Sequence, residues 1–295
     1  MIKTIYTAIA VSLMASLSAM DFNMDFHRKY QEAKALKLLS KRKFKDACQA
    51  FEKLAATAAK PGEKSKYTAY YAISMGGMRN KYEEAMKTAA AIDDKSYSLY
   101  AQMELMTRKR LYKDVISKSK DVNLNSWPED ISYEGFALRA NAFYAGKKYQ
   151  EAIKDYVQCL KLMKPDNWSR LTIQNKLAVS YQNVNDDKQA LTSYNAALAN
   201  IWEKPRLLGG TPHAQIIYGI AGILLKQKKY DEALKKLAEY QGNSKILLPR
   251  ILEMTGDIYT IKGEKDKAAA KYHEALKINT RNALRNHLKE NTRIN

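Results

Sequence analysis

Cysteine, proline and glycine are all scarce: two, six and twelve in 295 residues. Two cysteines exclude a disulfide framework and a cysteine zinc site. So little glycine and proline leaves few turns for a chain of short strands, and no β-alternating run bounded by turn signals occurs. Catalytic signatures are missing too. There is no HExxH, no GxSxG and no GK[ST] after the Gly209-Gly210 pair. The four histidines, His27, His213, His273 and His287, are scattered and read as solvated surface residues. Asp93-Asp94 and Asp186-Asp187 fall between helical segments, where aspartate caps a helix N-terminus. No catalytic, cofactor or metal site is expected, and the chain reads as a non-enzyme.

Small and aromatic residues at fixed spacing are what the chain does have. In 249–280, Leu252, Gly256 and Tyr259 form one helical stripe, and Ala268, Tyr272 and Ala275 form a second. The Ala268 place recurs as Ala47, Ala85, Val115, Ala152, Ala190 and Ala233, at intervals of 38, 30, 37, 38, 43 and 35. An aromatic stands three residues before it in Phe44, Tyr82, Tyr112, Tyr149 and Tyr230. The small place of the first helix recurs as Ala35, Ala140, Ala178 and Ala221, with Ile73 and Met103 in the second and third copies. KKYQEAI, NKYEEAM and KKYDEAL each open a second helix.

This layout resembles the tetratricopeptide repeat, two antiparallel helices in about 34 residues. The resemblance implies an all-α, right-handed superhelical solenoid of about seven hairpins, each sheltering its apolar faces on the next. The units are about 28–59, 66–92, 96–122, 133–163, 171–201, 214–240 and 249–280, with a capping helix at 281–295 and the solenoid covering 28–295. Cys48 and Cys159 fall in second helices of distant units, too far apart to pair, and read as small buried residues. The connection Trp202–His213 is expected to be a mobile linker.

Residues 1–19 are set apart. A positive start and an apolar run of about sixteen form a secretory leader with cleavage after Ala19. The run is short for a membrane span of ~20 residues. Export to the bacterial periplasm or cell envelope is the expected localisation.

In this family the groove lined by first helices holds peptide segments, so the resemblance implies a protein or peptide partner and a scaffold function. The groove candidates are Tyr67, Tyr70, Tyr97, Tyr100, Arg108, Asn141, Tyr144, Asn175, Gln182, Tyr218 and Lys226. Tyrosine and arginine concentrate binding energy, and amides pair with extended backbone. The lysine–asparagine clamp of the chaperone-tail binders is not matched, since Glu32 and Leu36 hold the first-unit places. Fifty Lys+Arg against 31 Asp+Glu give a net charge of +19. That charge makes an acidic protein, an anionic envelope polymer or an anionic lipid surface candidate partners, and a basic adaptor the alternative function. Nucleic acid is not expected.

Overall fold

The computed structural model describes residues 25–164, 169–202 and 207–278. Every regular element among them is helical. The leader at 1–19 and the cap at 281–295 lie outside the described residues. The chain divides into two compact units, residues 1–142 and 143–295. A hairpin that touches only its neighbours makes an array that separates readily into such blocks.

The first unit holds α1 (25–40), α2 (Phe44–Ala56), α3 (Pro61–Met75), α4 (Tyr82–Ala90), α5 (Lys95–Arg108) and α6 (Tyr112–Ser119). A 3-10 turn at Leu124–Ser126 leads to α7 (Glu129–Ala145), which crosses the boundary. The second unit holds α8 (Tyr149–Leu162), α9 (Arg170–Asn183), α10 (Asp187–Trp202), α11 (Thr211–Lys226), α12 (Tyr230–Ala238), α13 (Leu248–Ile261) and α14 (Lys265–Ile278). Within each unit helices adjacent in sequence pack together, from α2 to α6 and from α8 to α14, and first helices also touch the next first helix, as α3 on α5, α9 on α11 and α11 on α13.

The small places explain that packing. Ala47, Ala85, Val115, Ala152, Ala190, Ala233 and Ala268 are all buried, as are Ala35, Ile73, Met103, Ala140, Ala178 and Ala221. At Gly256 an added Cβ would lie 2.5 Å from the Tyr272 ring, so only a bare backbone lets that ring lie against α13. Large rings fill the space left by small partners, which keeps interhelical distances short.

Seven turns repeat one conformation. Arg42, Asn80, Arg110, Lys147, Asn185, Lys228 and Gly263 all have φ between 58° and 77°, each five residues before the small marker of its second helix. Six of the seven close with the same pair of bonds. At the fourth, Lys147 N–H donates to Tyr144 O (3.0 Å) and Lys148 N–H to Phe143 O (2.9 Å). This is the Schellman closure, which satisfies carbonyls the ending helix leaves open.

Asp94 and Asp186 act as caps. Asp94 Oδ1 accepts from Ser96 N–H (2.8 Å) and Tyr97 N–H (3.2 Å), and Asp186 Oδ1 from Gln189 N–H (3.1 Å). Asp94→Ala is expected to lower stability by about 1 kcal/mol, read as a shift in urea midpoint. An unchanged midpoint would show that the cap is redundant.

Two expectations are corrected. His213 is buried, not solvated: its ring lies 5.7 Å from Tyr240, and its Nδ1 accepts from Gly209 N–H (3.1 Å). Burial pushes its pKa below the usual histidine value. The loop ahead of it is pinned where it is described, at 207–213, because Tyr240 Oη donates to Gly209 O (2.8 Å). Tyr240 comes from α12's C-terminal side, a tertiary partner that local composition does not reveal. Both cysteines are free and buried.

Candidate functional site

In the first unit, polar side chains from first helices meet one repeat apart. Tyr67 Oη on α3 donates to Glu32 Oε2 on α1 (3.1 Å). Tyr97 Oη on α5 donates to Asp130 on α7 (3.0 Å), and Tyr100 Oη donates to Glu134 on the same helix. Lys66 ties the set together: its Nζ lies 2.7 Å from Glu32 and 3.1 Å from Asp130, joining α1, α3 and α7. Burial works against the Lys66 charge, but the two carboxylates hold its pKa above the ordinary lysine value. Tyr70 stacks on Phe51 (centroids 5.2 Å apart) and meets Tyr100 edge-on (6.1 Å). Burial drives the Tyr70 and Tyr100 hydroxyls well above the usual tyrosine range, so both stay neutral donors.

The four first-unit tyrosines named from sequence therefore come together with buried side chains, three of their hydroxyls donating to carboxylates and Tyr70 packed between Phe51 and Tyr100. Arg108 joins the same side. Its Nε donates to Glu104 (2.9 Å), its Nη1 to Ile73 O (3.0 Å), and its guanidinium lies 5.8 Å from the Phe44 ring centre. Asn141 is half-buried.

In the second unit the named residues bind neighbouring helices. Tyr144, half-buried, meets Tyr149 edge-on at 5.8 Å. Asn175 Nδ2 donates to Gln215 (3.2 Å). Gln182 accepts from Tyr194 Oη (2.6 Å) and donates to Gly219 O (3.3 Å), clamping α9 to α10 and α11. Lys226 pairs with Asp187 at 3.0 Å. Tyr218 is half-buried on α11.

Glu32, Lys66, Asp130 and Glu134 were not among the sequence candidates. The signal for them is distance along the chain: 35 residues from Tyr67 to Glu32, 33 from Tyr97 to Asp130 and 34 from Tyr100 to Glu134, one repeat length each. Three carboxylates against one ammonium give this tyrosine network a net negative character within a strongly basic chain. Among the described residues no cluster of three metal-ligating side chains occurs.

The hairpins, their common turn and their stacking have known counterparts. Residues 211–291 match the tetratricopeptide repeat-like domain. The fold is that of a tetratricopeptide-repeat protein. The C-terminal part of a tetratricopeptide protein from Cytophaga hutchinsonii superposes with TM-score 0.52 at 16% identity, over 85% of this chain and 97% of that one. BtubC from P. vanneervenii gives 0.50 at 16% identity, covering 78% and 91%. PilF from Pseudomonas aeruginosa gives 0.50 at 14%, covering 77% and 99%. No curated protein matches the sequence. At such identities the likeness speaks for the tetratricopeptide fold alone.

Proposed function

We propose that this tetratricopeptide protein is a non-enzymatic scaffold of the bacterial envelope, taking a protein or peptide segment on the first-helix face of its N-terminal unit. The observation that carries the reading is the row of side chains from α1, α3, α5 and α7 meeting on one face. Such a face presents fixed donors and acceptors on rigid helices, which lowers the ordering cost of binding. Asp130 and Glu104 keep 35% and 26% of their side-chain surface open, so a segment carrying lysine or arginine suits this face better than an acidic one. The leader-like residues 1–19 support the envelope location.

Photo-crosslinking in intact cells tests both parts. A photoreactive residue at Gln102, half-buried on α5, or at Glu104 is expected to capture a partner in the envelope fraction. One at Lys87 or Lys118, on second helices, is expected to capture none. Adducts from the second helices alone would overturn the face, and a cytosolic chain would overturn the location.

A further inference from the structure

The turns of the first unit carry a second surface, separate from the first-helix face. Arg42 and Lys43, Arg79 and Lys81, Lys109 and Arg110 occupy its three hairpin turns, and all six are exposed. The turns lie side by side. A Cβ at Gly77, in the second turn, would collide with the Phe44 ring, which opens the second helix of the first hairpin. Lys109 of the third turn sits 5.3 Å from the Tyr82 ring centre, which opens the second helix of the second hairpin. Lys81 is paired with Glu84. Among the described residues Arg42, Lys43, Arg79 and Arg110 have no ion pair.

Folding does not ask for cations at these positions. Lys43 and Lys81 stand at the N-caps of α2 and α4 with no side-chain cap bond. Serine, threonine, aspartate or asparagine is preferred there, and a positive charge faces the positive end of the helix. Arg42 and Arg110 hold a left-handed backbone that glycine or asparagine adopts more readily. The opposite edge differs. Its cations Lys53, Lys87 and Lys118 lie in last turns, where the helix dipole favours them. Acids stand near both edges, at Glu63, Asp93, Asp94 and Asp121 there and at Asp46, Glu83, Glu84 and Asp114 in the first turns that follow the turn cations. Cations kept where they disfavour the fold point to a use outside it.

We infer that this turn edge docks on an anionic phospholipid surface. The cations stand exposed on three turns side by side, so mobile headgroups in a plane can gather under all of them without a shaped pocket. An extended polyanion would have to be straightened along the three turns, losing chain entropy. Each Lys or Arg near such a surface strengthens binding by about fivefold.

The test is co-sedimentation with vesicles of phosphatidylcholine alone or with about one third phosphatidylglycerol. The full chain is expected to bind the mixed vesicles preferentially, and less tightly as salt rises across the range where screening shortens. The variant Arg42→Asn, Lys43→Ser, Lys81→Ser, Arg110→Asn removes four charges with residues suited to the same backbone. It is expected to bind at least a hundredfold more weakly while melting no lower than the native chain. Removing four charges from the other edge, by Lys64→Gln, Lys87→Gln, Lys95→Gln and Lys118→Gln, is expected to change binding by less than about tenfold. A companion pair, Arg42→Lys with Arg110→Lys, touches the same turns and is expected to keep native binding. Equal loss in both four-charge variants, loss in the charge-keeping pair, or no preference for the anionic vesicles would overturn the assignment. So would binding to soluble polyphosphate with none to the vesicles.

Discussion

Tyr194→Ala is expected to destabilise the second unit by about 3–5 kcal/mol, among the heaviest losses available to one substitution. Tyr194 is 1% exposed on α10, in a core with Ala178, Ala190, Ala197, Ile217 and Ala221. Its ring presses on the backbone of α11, since a Cβ at Gly219 would fall 2.4 Å from it. Glycine cannot swell to fill the void that alanine would leave. The hydroxyl adds a second effect through Gln182, which would lose a 2.6 Å donor. Tyr194→Phe isolates that part and is expected to cost about 1 kcal/mol. Urea unfolding followed by circular dichroism gives both numbers. Because stacked repeats couple to their neighbours, amide exchange is expected to accelerate first in α9–α11. Equal midpoints for the alanine and phenylalanine variants would show that the ring does not hold the stack.

The hairpin array is legible in the sequence because its packing is written in small residues. Ala152, Ala190 and Ala233 each hold the place where two helices cross, and all three have no exposed surface. Turns are less legible. Asn80, Asn185 and Gly263 suit a left-handed backbone, whereas Arg42, Arg110, Lys147 and Lys228 adopt it only because helix packing on both sides fixes the closure. The site is legible in part. Tyr67, Tyr70, Tyr97 and Tyr100 stand out as a cluster, but a helical stripe does not say whether a ring faces ligand or the adjoining repeat. Their carboxylate partners sit a whole repeat away, beyond the reach of local spacing. His213 escaped notice for a related reason, because Tyr240 that covers it follows α12, at the far end of the same hairpin and beyond the reach of local spacing.

Charge is sorted on the first unit in a way net charge conceals. The overall value of +19 suggests a uniformly basic molecule. On the first-helix face, however, Glu32, Asp130, Glu134 and Glu104 outnumber Lys66 and Arg108, while the hairpin turns carry pairs of cations. Screening over about 8–10 Å at ordinary ionic strength keeps each local field distinct.

Acidification from pH 7 to 5 is expected to stabilise the first unit through Glu134, against the usual trend for carboxylates. Burial is the main cause: it raises the Glu134 pKa above the ordinary 4.5, despite bonds from Tyr100 and Tyr133 that lower it. Tyr133 Oη donates to its Oε1 at 3.0 Å, and the nearby charges of Glu104 and Asp130 add to the rise. The folded chain thus binds this proton more tightly than the unfolded chain does. The resulting stability is complete below the ordinary value and is lost as pH rises through the folded one. Asp25 and Glu264 are shifted downward, so their contributions fade only below their ordinary values of 3.8 and 4.5, outside this window. His213 of the second unit, lowered from 6.5 by burial, loses stability within the window and does so equally in all three proteins. Glu134→Gln is expected to flatten the response, since the amide oxygen still accepts and nothing titrates. Glu134→Ala is expected to cost about 3 kcal/mol at either pH, because two tyrosine hydroxyls lose their acceptor beside a new void. Urea midpoints of the three proteins at both pH values decide the matter. A native midpoint that falls on acidification in parallel with the glutamine variant would show that Glu134 is ionised and at ease in the fold.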